Sequence, residues 1–160
     1  MAATDLIPDP TSRRLRIYAL DPSLAAQYST AGIGEVSIDV LWEQQLQPGP
    51  VGEYLEVVDA DPASNCFYHP VDLNEYRLLA QGGLAPSESN PQFHQQMADA
   101  VAMATIGHFE RALGRVALWS PHRPRDNMGR IVDEKFVRRL RVYPHALRDR
   151  NAYYSPDKKA

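Results

Sequence analysis

Five histidines, His69, His94, His108, His122 and His145, and 20 acidic residues are the groups with which this chain could do acid–base or metal chemistry. A zinc site is built most simply from two histidines at i and i+4 on one helix face. No such pair occurs here. His94 and His108 fall on one predicted helix but 14 residues apart, about 21 Å along its axis, too far to share an ion. The spacing therefore predicts histidines on a helix surface or in hydrogen-bonded pockets. Asp59 with Asp61 and Asp133 with Glu134 are the acidic pairs. Asp59-Ala60-Asp61 lacks the glycine and distal glutamate of a calcium loop, so it predicts a solvated turn with capping carboxylates. Cys66, the only cysteine, excludes an internal disulfide. Between aromatic neighbours it reads as a small buried residue rather than a nucleophile. No G-x-S-x-G turn is present, and Pro48-Gly49-Pro50-Val51-Gly52 has neither dinucleotide nor Walker spacing. The residues alone predict no catalytic group, no metal ligand and no cofactor site in this chain.

Composition narrows the partners. The net charge is −3 with 44% apolar residues, which is enough for a core and argues against nucleic acid or an anionic membrane surface. The arginines from Arg138 to Arg150 are a local exception and read as a solvated basic face. No run approaches the roughly 20 apolar residues of a membrane span. The N-terminal residues carry no apolar run of signal-peptide length, and with a single cysteine this predicts a cytoplasmic location.

The elements that would position these groups form an α+β pattern. Residues 1–14, with Pro8 and Pro10, read as a flexible arm. A single domain over 15–160 is expected to follow. Strands are predicted near 15–20, 35–43, 53–59 and 140–143, with Val36, Ile38, Val40 and Trp42 on one face. Val116–Trp119 reads as a further short strand. Residues 62–90 are rich in Pro, Gly, Asn and Ser and predict an irregular connection. Asn90-Pro91 then opens one long helix over 91–113, closed by Gly114. Phe93, Met97, Val101 and Phe109 are its expected buried positions. The fold class is a twisted, mostly antiparallel sheet packed on that helix, with long irregular loops.

Beyond the helix, Arg141-Val142-Tyr143 leads to Asn151-Ala152-Tyr153-Tyr154, a strand-like run entering the turn signal Ser155-Pro156-Asp157. A second strand is expected after such a turn, so the chain reads as the N-terminal part of a longer protein. The helix from Asn90, with Phe109-Glu110-Arg111-Ala112-Leu113, followed by 141–143 and then the N-A-Y-Y run, resembles the N-terminal domain of thermolysin-like zinc metallopeptidases (gluzincins). The likeness is to an uncharacterised bacterial branch rather than to the secreted thermolysins. The resemblance implies that 140–154 is an edge segment forming one wall of a peptide-binding cleft. It implies that Asn151 and Ala152 contact an extended peptide or protein substrate, while Tyr153 and Tyr154 pack. It also implies a zinc-dependent parent peptidase, whose H-E-x-x-H ligands, general base and third ligand belong to a C-terminal catalytic domain missing from this sequence. This chain alone is then expected to be inactive. The alternative is a stand-alone, non-enzymatic protein- or peptide-binding scaffold using the same edge.

Overall fold

The computed structural model describes residues 9–25, 33–149 and 152–155. The first strand, β1 (Ser12–Tyr18), alternates as a half-buried strand should, with Arg13, Leu15 and Ile17 inward. It begins inside the arm expected over 1–14. A short helix, α1 (Pro22–Ala25), follows. The next strand, β2 (Glu35–Leu41), pairs antiparallel with β1, Leu15 opposite Ile38.

The remaining strands do not extend that pair into the single sheet expected. Among the described residues they form two further two-stranded units. β3 (Leu55–Val57) pairs in parallel with β6 (Leu140–Val142), and β4 (Ala60–Asp61) pairs antiparallel with β5 (Cys66–Phe67). Two of the three pairs are antiparallel and one is parallel, and no single sheet joins them among the described residues. The two strands of the parallel pair lie more than 80 residues apart in sequence, and the long helix between them provides the crossover that parallel pairing needs. The 62–90 stretch also holds more than an irregular connection. It contains β5 and a helix, α2 (Tyr76–Gln81), which ends on Gly82 in the left-handed region at φ 69°. Val116–Trp119 forms no strand, although Ala117 and Trp119 pack against the core.

The spine is α3 (Pro91–Leu113), with the bounds its sequence predicts. Asn90 Oδ1 accepts from the Gln92 N–H at 3.0 Å, Pro91 takes the first turn, and Gly114 closes the helix at φ 65°. The buried face differs from the expected one. Phe93 is fully buried and Met97 packs partly, but Val101 and Phe109 are exposed. The inward stripe runs instead through Gln95, Gln96, Asp99, Ala100, Met103 and Ile106. Three polar residues on that stripe hide the helical period from a reading based on apolar residues. On β2 only Val40 is fully buried; Val36 is exposed and Ile38 packs partly. Trp42, just past the strand, is half-buried beneath the Arg13 guanidinium, 4.5 Å from its ring centre.

Candidate functional site

The polar stripe of α3 explains how the loops are held. Gln95 accepts from the Val71 N–H at 2.8 Å and donates to Asp59 Oδ2 at 2.8 Å and to the His69 carbonyl at 3.1 Å. Gln96 accepts from the Leu84 N–H at 2.7 Å and donates to the Arg16 carbonyl at 2.9 Å. Both amides are fully buried, so each replaces water for loop backbone and, at Arg16, for a carbonyl on the outer edge of β1. Gly83 must be glycine for this: it has φ 83°, and a Cβ there would stand 2.5 Å from Gln96 Oε1.

Against this frame lies β6. Leu140 and Val142 are half-buried, packing on the core, and Arg141 is exposed, pairing with Glu56 at 3.0 Å. The Leu140 N–H donates to the Tyr54 carbonyl, and the Val142 carbonyl accepts from the Val58 N–H, both at 2.9 Å. Both bonds point toward β3. Strand alternation then turns the N–H and C=O of Arg141 to the opposite edge, where no strand lies among the described residues. Arg139, whose Nε donates to the Gly52 carbonyl, fixes the entry to the strand.

The exit from β6 is fixed by a chain of ionisable groups. His145 Nδ1 meets Asp59 Oδ1 at 2.5 Å, and His145 Nε2 meets His94 Nδ1 at 2.8 Å. The Tyr68 ring packs edge-on against His145, centroids 5.0 Å apart. Three residues on, Arg148 donates to Asp61 Oδ2 at 3.2 Å and to Ser64 Oγ. Hydrogen bonds from the Ser64 side chain and backbone, with Arg148 and Tyr68, hold the Asp61 carboxyl well below the usual range. Burial first, and then the facing His145, push the His94 imidazole down. Beside His94, an open cleft of about 440 Å³ is lined by Tyr18, Leu20, Asp21, Glu88 and Met97.

Two sequence expectations are corrected here. Asp59 and Asp61 are not a solvated pair; they are 6% and 4% exposed, because each has a cationic or hydrogen-bonding partner from the far end of the chain. The hydrogen-bonded pocket expected for a histidine is found at His94, although its partner His145, 51 residues away, is one that no local spacing shows. Cys66 is half-buried rather than buried.

Asn151 lies outside the described residues. Ala152 is exposed and belongs to no strand, and Tyr153 and Tyr154, at 60% and 63% exposure, pack on nothing substantial. Of the strand expected over 151–154, the described residues 152–154 pair with no other strand.

Zinc can be weighed against these groups directly. His94 and His145 present two nitrogens to each other, but Asp59 bonds the far nitrogen of His145 and cannot complete the same coordination sphere. Among the described residues no group of three His, Cys, Asp or Glu is arranged to hold a metal. The residues present do not make a zinc site.

A second buried ionisable group lies deeper. Asp99 is 3% exposed on the core side of α3, and its carboxyl is pushed up to about 7, chiefly by burial and then by Glu43, with Arg13 opposing. Arg13, itself 3% exposed, donates to Asn74 Oδ1 at 2.6 Å. Burial depresses its guanidinium.

No family model matches this chain, and no curated protein or solved structure matches it. Among the described residues no helix is long and apolar enough to cross a membrane.

Proposed function

We propose that this chain is the non-catalytic, N-terminal portion of a thermolysin-like zinc metallopeptidase, and that its 140–154 segment forms one wall of a peptide-binding cleft. The observation that supports this reading is the one-sided pairing of β6. Its inner edge is bonded to β3, while the outward N–H and C=O of Arg141 are positioned to add an extended peptide as a further strand. Asn151 and Ala152 lie downstream on the same segment and supply further contacts in this reading. The metal and the base that activates water belong to a catalytic part carried elsewhere. A stand-alone peptide-binding scaffold would use the same edge and differ only in needing no catalytic partner.

Arg141 gives the test. Its N–H faces outward, so Arg141→Pro removes one edge donor without breaking a bond to β3, and an edge strand tolerates proline. Arg141→Ala removes the Glu56 ion pair, which is solvent-exposed and worth little, and keeps the N–H. Calorimetric titration with an extended apolar peptide is expected to show binding to the native chain and to Arg141→Ala, and none to Arg141→Pro. Equal binding by all three variants removes the edge from the reading.

A further inference from the structure

We infer that the Asp59–His145–His94 chain is an acid-sensitive latch: it fixes the 143–149 turn, and with it the end of β6, at neutral pH and releases it when both imidazoles are charged. The argument is a count of protons. The 2.8 Å contact between His94 Nδ1 and His145 Nε2 is a hydrogen bond only when one nitrogen carries a proton and the other offers a lone pair. His145 Nδ1 faces the Asp59 carboxylate and carries a proton in every state that keeps that bond. With both rings neutral, His94 Nδ1 donates to His145 Nε2. With one ring charged, His145 donates through both nitrogens and His94 accepts. With both rings charged, two N–H groups and two positive charges face each other at that distance, and the contact cannot persist.

The groups around the pair shift where this happens but cannot supply the missing lone pair. Asp59 faces His145 from the link between β3 and β4, and Gln95 of α3 holds its other oxygen. Asp61 on β4 is engaged by Arg148, Ser64 and Tyr68. Glu88, ahead of α3, Tyr18, the last residue of β1, and Asp21 beyond it line the cleft beside His94, and His69 lies near Gln92. Burial and the facing His145 oppose a charge on the His94 imidazole. The three bonded elements come from distant parts of the chain, 51 and 86 residues apart, so opening the inter-ring bond removes the direct tie between the turn after β6 and α3 and leaves the turn held by His145–Asp59 and Arg148–Asp61. The inference stands whether or not the β6 edge binds peptide.

Hydrogen exchange on the intact chain tests it, with rates corrected for intrinsic pH dependence. Between about pH 8 and pH 5, protection in 140–149 is expected to fall at least about tenfold while α3 keeps its protection, as the second imidazole charges. His94→Gln can donate or accept toward His145 but never charges, so it is expected to abolish the fall. His145→Gln is expected to lose the protection at every pH. Nitrogen-detected NMR of the native imidazoles gives a second reading that needs no variant: one shared inter-ring proton at neutral pH and two fully protonated rings after the transition. Unchanged protection of 140–149 across the range overturns the latch. So does a fall that is uniform over the whole chain, or a fall that His94→Gln retains.

Discussion

Gln95 and Gln96 show how much of this fold rests on single side chains. Each amide lies on the core face of α3 and saturates three backbone or carboxylate groups contributed by loops and by the outer edge of β1. Leucine at position 95 would match the size but strand the Val71 N–H and one Asp59 oxygen. Gln95→Leu is expected to lose about 3 kcal/mol in chemical denaturation, since a buried group without a partner costs more than the hydrogen bond itself contributes. Asp99 sets a pH dependence of definite sign. Its folded pKa, about 7, lies above its ordinary 3.8, so the folded chain holds this proton more tightly than the unfolded one. Its contribution is complete below the unfolded value and is lost as pH rises through 7. Asp99→Asn is therefore expected to raise the melting temperature above pH 7, with a gain on the order of 3 kcal/mol at pH 8 that vanishes toward pH 4. A gain equal at both ends would place the effect in packing instead.

At the scale of elements, α3 is the part that local chemistry specifies. Asn90, Pro91 and Gly114 mark its two ends, and the structure uses all three as caps. Asn90→Ala is expected to cost about 1 kcal/mol, read in the same denaturation, because the Gln92 N–H loses its acceptor. The sequence also located β1, β2, β3 and β6 to within a few residues, since each carries alternating or β-branched side chains. What it could not reveal is which strands meet. The parallel partnership of β3 and β6 depends on what the intervening helix buries, and that face is defined by Gln95, Gln96 and Asp99, residues that a hydrophobic pattern scores as outward. The Asp59–His145–His94 chain was hidden for the same reason: none of the three is near another in sequence, and only the packing of β6 beside β3 and α3 brings them together. Val101 and Phe109 are exposed because both lie off the stripe that packs on the sheet units.

For the whole molecule, apolar exposure concentrates after α3. Leu118, Met128 and Phe136 are 71%, 78% and 75% exposed, on a stretch tied to itself by the bridges His122 to Lys135 and Arg125 to Ile131, the exposed Arg123–Glu134 ion pair and the turn around Asp126. That stretch carries Arg123, Arg125, Arg130 and Lys135, so limited trypsin digestion is expected to cut there while α3 remains intact. Rapid cleavage within α3 would contradict the ordering of stability described above. The cleft-wall role rests on the outward edge of β6, and backbone NMR of the isotopically labelled chain titrated with an extended apolar peptide is its sharpest test. The amide of Arg141 is expected to move farthest and downfield, as a new strand accepts its proton, with smaller shifts at neighbouring positions of β6 and at 152–154. Saturable binding whose shifts leave Arg141 and the rest of β6 unmoved would contradict the cleft-wall reading.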